Sequence, residues 1–288
     1  AARDSRFEKS WVFVLEELSD WRVLRLDVVI PGMAKAGTTW LARQLGRHGV
    51  SVRGFSSDFH GEENPLDAQE GAFWPSRRHV ERWNRDCGSN ASLIAVKQPR
   101  YLETIWSMQV LAFLQAKVVI LVRSPAELCH SLYLDAFKSP HNLDPKPSLK
   151  ACMLQPECSC RFKAPNVAGR VWLQKFSLAT CRASFAIARL RALAQATLPP
   201  ERVLVVHTRQ LSERLAQVAA WLGLRRHECI GPPENTAMRN HRGDPEFLEQ
   251  NDLCSEANSQ VLSMLREAFA ADEGAIAGWL TWWDPDLV

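Results

Sequence analysis

Short runs that are apolar on both faces alternate along the chain with stretches whose apolar residues recur every three or four positions. The first run covers residues 24–30 and closes on Pro31-Gly32. A helical pattern follows, with Leu41 and Leu45 on one face and Gly46 and Gly49 near its end. Further runs cover 93–96, 118–122 and 203–206. A strand buried on both faces belongs inside a parallel sheet, and strands interleaved with helical patterns predict an α/β fold. Thr208 is placed to cap a helix carrying Leu211, Leu215, Val218 and Leu222, which Gly223 would stop. A last long helical pattern runs over about 255–280.

Two regions break the alternation. Residues 50–90 are rich in Gly, Pro, Asp and Trp, and 138–165 hold Pro and Cys with little periodicity. Loops of that length inside a compact domain are usually functional or disordered. No internal repeat divides the chain, so its 288 residues read as one domain with two insertions, at 50–90 and 138–165, facing a substrate. The composition, 46% hydrophobic and 23% charged, excludes a disordered chain, a collagen and a coiled coil. The longest aliphatic run, 118–122, is far below the roughly 20 apolar residues of a membrane span.

Charge and cysteine usage add two constraints. The net charge is only +3, but 26 of the 35 basic residues are Arg, the side chain suited to bidentate contact with phosphate or sulfate. No Lys/Arg block is dense enough for a nucleic-acid-binding arm. Eight cysteines include a cluster at 152–181, and Cys158-Ser159-Cys160 is too tight for a zinc pair. Disulfides formed in an oxidising lumen fit better, and Asn90-Ala91-Ser92 is a glycosylation sequon. The expected location is the Golgi lumen or secretory pathway, with the cytoplasm as the alternative. Ala1 is not followed by a charged and then an apolar leader segment, so the stretch is expected to be a catalytic fragment whose anchor and stem were removed.

The most specific pattern is Pro31-Gly32-Met33-Ala34-Lys35-Ala36-Gly37-Thr38-Thr39-Trp40-Leu41. A buried strand runs into a loop of small residues, and the loop opens a helix. Small residues let backbone N–H groups close on an anion, and the helix start adds unsatisfied donors and a positive dipole end. Lys35 supplies a point charge, and Thr38 and Thr39 supply hydroxyls. The loop is not a Walker A motif, because the lysine precedes Gly37 by two positions instead of following it. The run 118–122 ends in Arg123 where a nucleotide triphosphatase would place a metal-binding Asp. A kinase or a non-catalytic phosphate-binding module is therefore the weaker alternative.

Pro-Gly-x-x-Lys-x-Gly-Thr-Thr-x-Leu resembles the 5′-phosphosulfate loop of the sulfotransferases, which use 3′-phosphoadenosine 5′-phosphosulfate (PAPS). Three further segments agree with that resemblance. In Arg123-Ser124-Pro125-Ala126-Glu127, Ser124, Pro125 and Glu127 form a predicted capping box. Arg123 thereby falls at the carboxyl end of a strand, where open α/β sheets bind ligands. Arg123 with Ser131 is similar to the family's 3′-phosphate motif. Lys97-Gln98-Pro99-Arg100-Tyr101 looks like the Lys-Ser/Thr-Pro-x-Tyr segment of the Golgi carbohydrate sulfotransferases related to heparan sulfate enzymes, with Gln98 departing from it. By that resemblance Lys97 approaches the sulfuryl group or the acceptor. Arg239, His241, Arg242 and Gly243 stand where the family has a basic, Gly-containing loop closing over the 3′-phosphate and adenine.

The resemblance implies a P-loop-like α/β fold, a three-layer sandwich around a central, mostly parallel sheet. Its donor core would lie at about 22–48, 93–137 and 202–245. PAPS would lie on Lys35, Ala36, Gly37, Thr38, Thr39, Trp40, Arg123, Ser131 and the 239–243 loop, with no metal. The acceptor would be a glycan, or a small hydroxylated metabolite if the many Trp line an apolar pocket. A hydroxyl or amine must lose its proton as it attacks. In the heparan-type enzymes the base is a Glu between the phosphate loop and the Lys-x-Pro segment. That interval offers Asp58, His60, Glu62 and Glu63 here, with Glu63 favoured over Glu62 and His60.

Overall fold

A computed structural model describes residues 23–33, 35–53, 84–85, 93–98, 101–103, 108, 111–137, 147–154, 160–165, 171–224 and 250–282. At its centre lies a five-stranded sheet built from β1 (Val28–Ile30), β2 (Val50–Arg53), β3 (Leu93–Lys97), β4 (Lys117–Val122) and β7 (Val203–His207). The strand order is β2-β3-β1-β4-β7, and every neighbouring pair is parallel. The predicted apolar runs supply four of these strands. Val118 to Val122 are all at most 1% exposed, as covering both faces of a parallel sheet requires. The expected α/β sandwich with a central parallel sheet is the observed fold.

Helices flank the sheet. Helix α1 (Thr38–Arg47) follows β1 and packs on β2 and β3 through Leu41, Ala42 and Leu45. Helix α2 (Pro125–Phe137) follows β4, and α3 (Leu149–Leu154) comes next. An antiparallel hairpin of β5 (Cys160–Pro165) and β6 (Val171–Phe176) stands apart from the main sheet and leads into α4 (Leu178–Ser184) and α5 (Ile187–Thr197). After β7 come α6 (Leu215–Leu222), α7 (Ser259–Ala268) and α8 (Ala270–Trp282), with α8 packed on α5 and β7. Among the described residues no helix is long and apolar enough to cross a membrane.

Local expectations are corrected in three places. Thr208 does not cap the helix of Leu215: it starts a 3-10 turn at Thr208–Gln210, and Arg214 occupies the cap position. Gly223 does stop that helix, in the left-handed conformation at φ 80°. The reciprocal capping box at α2 is also absent, because the Ser124 hydroxyl donates to Glu273 and the Glu127 carboxylate faces two arginines. The long C-terminal pattern is two helices, broken at the fully buried Phe269.

Disulfides Cys129–Cys181 and Cys152–Cys160 tie α2 to α4 and α3 to β5. Both involve the cysteine cluster expected to be oxidised, with Cys129 recruited from outside it.

Candidate functional site

All five strands of the sheet run in one direction, so their carboxyl ends share one edge. The connection leaving β1 leads to β2 on one side of the sheet, and the connection leaving β4 leads to β7 on the other. Adjacent strands whose connections diverge open a crevice at their carboxyl ends, the usual ligand position in such sheets. The loop after β1 and Arg123 after β4 form the two walls of that crevice.

The loop is held at both ends by glycine. A Cβ on Gly32 would lie 2.8 Å from the Leu121 backbone nitrogen, so only glycine lets the loop pass this close to β4. Gly37 has φ 88°, the left-handed conformation, and its position turns the chain into α1. Between them Lys35 has φ 68°, alone among the described non-glycine residues in having a positive φ. An L-residue held there costs about 1–2 kcal/mol, and such strain persists only where surroundings over-determine it. They do so here. Arg123 Nη1 donates to the Lys35 carbonyl at 3.2 Å. The Thr208 hydroxyl reaches the Ala36 carbonyl at 2.7 Å and the Val122 carbonyl at 3.0 Å, fastening the loop to β4 from the end of β7. Lys35 Nζ pairs with Asp135 on α2 at 2.5 Å.

A second charged group adjoins the loop. Glu127 accepts from Arg123 Nε at 2.7 Å and from the Arg209 guanidinium, so one carboxylate joins the residues after β4 and β7. Burial opposes the charge on Glu127, but the two arginine contacts outweigh it and hold the carboxyl below its ordinary range. Burial pushes His207, beside this group, below its ordinary value, and the Arg209 charge adds to that. The outcome is a fixed guanidinium at the crevice with its orientation set by Glu127 and its reach limited by the Lys35 carbonyl. Preorganised cations and backbone donors of this kind are what an anionic group with developing charge needs. Among the described residues no cluster of three or more His, Cys, Asp or Glu is placed to hold a metal ion.

Comparison with solved structures finds this arrangement of elements elsewhere. A sulfotransferase from Alicyclobacillus acidocaldarius superposes with a TM-score of 0.51 at 17% identity, over 88% of this chain and 98% of that one. Mouse sulfotransferase SULT7A1, complexed with PAP, gives 0.45 at 12% identity over 92% of each chain. A sulfotransferase domain from the curacin biosynthetic pathway gives 0.46 at 14% identity, over 86% of this chain and 97% of that one. No protein-family model and no curated protein sequence matches the chain.

The chain has the sulfotransferase fold.

In that fold the remaining sequence-predicted residues fall as follows. Ala36 and Thr38 are buried in the loop and at the start of α1, with Thr39 and Trp40 half-buried beside them. Lys97, 8% exposed, ends β3, and its register partner on β1 is Ile30, the residue before the loop. Ser131 is half-buried two turns into α2. Lys35 in the loop, Arg123 after β4 and Lys97 at the end of β3 thus lie at the carboxyl edge of the sheet, while Ser131 lies on α2 one turn before Asp135. Asp58, His60, Glu62, Glu63, Arg239, His241, Arg242 and Gly243 lie outside the described residues.

Sequence reasoning missed Thr208, Asp135, Glu127 and Arg209 as parts of this site. Glu127 and Thr208 carried a signal, but a local one, and both were assigned to helix caps. Asp135 and Arg209 carried none. Tyr133, two residues after Ser131, is a core residue: its ring packs at a tilt against Phe137 and Phe176, and its hydroxyl donates to the Pro147 carbonyl and Asn251. Burial raises its pKa.

Proposed function

We propose that the chain is a PAPS-dependent sulfotransferase, one domain that moves a sulfuryl group to a hydroxyl or amine of a carbohydrate. The observation that carries this reading is the strained, glycine-bounded loop at the sheet crevice, with Lys35 at its apex and Arg123 tied to its backbone. Gly32 lets the loop pass against β4 and Gly37 turns it into α1, whose first backbone N–H groups and positive dipole end suit an anion.

Bound there, the donor supplies an activated sulfuryl group whose S–O bond to the 5′-phosphate breaks as the acceptor bond forms. Lys35 offsets the charge left on the 5′-phosphate oxygen. Arg123 and Ser131 hold the 3′-phosphate, with the 239–243 loop (Arg239, His241, Arg242 and Gly243) closing over it. Lys97 lies on the acceptor side of the loop, and the proton leaving the acceptor passes to Glu63, with Glu62 and His60 as the next choices. Positioning and fixed charge can carry such a loose transfer, as they do in phosphoryl transfer. Segments 50–90 and 138–165 would face the acceptor. The pairs Cys129–Cys181 and Cys152–Cys160 support an oxidising compartment such as the Golgi lumen.

The test is nucleotide choice. At 100 times its dissociation constant, 3′-phosphoadenosine 5′-phosphate (PAP) stabilises the fold by about 2.7 kcal/mol. ATP with magnesium, lacking a 3′-phosphate, raises the melting temperature far less. Equal stabilisation by the two, or turnover that requires magnesium, overturns the reading. A panel of glycan and small phenolic acceptors with labelled donor then identifies the acceptor class.

A further inference from the structure

The Lys35–Asp135 pair is unusual for a site that takes an anion. Asp135 sits in the last turn of α2, where a carboxylate opposes the helix dipole and where that turn carries no basic residue. It also places a negative charge 2.5 Å from the ammonium that the donor needs. Its geometry has one consequence: with the Lys35 backbone fixed by Arg123 and the loop fastened by Thr208, Asp135 fixes the side chain as well. Both partners keep about a third of their surface exposed, 30% and 29%, so the pair is open to solvent and weak enough to be exchanged.

We propose that Asp135 is a positioning residue that holds the Lys35 ammonium between turnovers in place of the anion, and that an incoming donor exchanges with its carboxylate. The lysine is then aimed before the donor arrives, at the cost of a competitor for each anion that binds, product included. Asp135 sets donor and product affinity through Lys35. The inference rests on the sulfuryl-transfer reading for the identity of the nucleotide, but the exchange itself needs only an anion.

The experiment is calorimetric titration of PAP and, separately, of inorganic pyrophosphate into wild type, Asp135→Asn, Asp135→Ser and Asp135→Glu, each checked for wild-type circular dichroism. Losing a weak charge competitor of about 1 kcal/mol tightens binding about fivefold. Asp135→Asn and Asp135→Ser are therefore expected to lower both dissociation constants by about that factor, and Asp135→Glu to return them toward wild type. In a Lys35→Met background, Asp135→Asn should move them at most about twofold. Unchanged or weaker anion binding in both neutral variants overturns the proposal, as does equal tightening without Lys35, which would be plain repulsion. If no variant binds PAP while pyrophosphate still tightens in Asp135→Asn, the nucleotide reading fails and the exchange stands.

Discussion

Replacing Thr208 by valine tests how far one hydroxyl holds the phosphate loop in its strained form. Valine keeps the branched shape, including the methyl whose carbon lies 3.3 Å from where a Gly37 Cβ would be, and removes only the hydroxyl. That hydroxyl has one proton to share between the carbonyls of Ala36, 2.7 Å away, and Val122, 3.0 Å away, so the change deletes one hydrogen bond. Leaving a buried carbonyl without its donor costs about 1–3 kcal/mol. At roughly 2–4 °C per kcal/mol for a chain near this size, the melting temperature should fall by about 2–12 °C. The functional effect follows from Lys35. Its left-handed backbone stores about 1–2 kcal/mol, comparable to the bond removed, so the loop gains a relaxed alternative. Since 1.4 kcal/mol is tenfold in population, PAP affinity and turnover should each fall by up to about tenfold. Scanning calorimetry and PAP titration measure both effects, and Thr208→Ser, which keeps the hydroxyl, is the control. A Thr208→Val protein with wild-type melting temperature and PAP affinity refutes the argument that this contact maintains the loop.

Other expectations can be checked alongside. Arg123→Ala should weaken PAP binding by about 1.5–3 kcal/mol, the scale of a charge-assisted hydrogen bond, without unfolding the chain; unchanged affinity would leave Arg123 a structural partner of Glu127. Lys35→Ala should cost about 10²-fold or more in turnover, the scale of losing one oxyanion donor, and change donor affinity less; full activity would end the sulfotransferase reading. Burial lowers the pKa of His130 and His207 from their ordinary 6.5, so the folded state favours their neutral forms. The stability they contribute is complete above pH 6.5 and is lost as pH falls through their lower folded values. Glu127, also depressed, adds its loss only below its ordinary 4.5. A melting temperature flat from pH 7 to pH 4.5 would contradict this. Reducing both disulfides, which span 52 and 8 positions, should destabilise by about 4 and 2.5 kcal/mol on the chain-entropy relation, read as a melting shift between reduced and oxidised protein.

What could be read from the sequence was whatever depends on near neighbours. The apolar runs at 93–96, 118–122 and 203–206 are strands because burial on both faces needs no polar alternation, and Gly32 and Gly37 mark the loop through their own backbone. Strand β2 escaped notice because Val-Ser-Val-Arg is four residues at a sheet edge inside a segment otherwise rich in turn formers. The β5–β6 hairpin was hidden for a similar reason: Lys163 and Pro165 interrupt the apolar pattern. Thr208 and Ser124 have the chemistry of helix caps. Carbonyls 172 and 86 positions away claim the first, and a carboxylate 149 positions away claims the second. Asp135 becomes part of the site only because α2 folds back over a loop 100 residues earlier, a relation that no local pattern encodes.

The position of β1 also governs how the chain can be made. The strand that carries the phosphate loop is the earliest in the sheet, yet its two neighbours are β3 and β4, paired through Val28 with Ala95 and Lys117. During synthesis it therefore waits as an unpartnered apolar segment until β3 emerges 67 positions later and β4 89 positions later, and β4 waits in turn for β7. Pairings this distant form slowly and leave sticky edges open meanwhile. The short Cys152–Cys160 link can close early, whereas Cys129 must wait for Cys181 and so seals α2 only after the hairpin has emerged. Slow, co-expressed oxidative folding at low temperature should yield more soluble protein than rapid expression in a reducing cytosol.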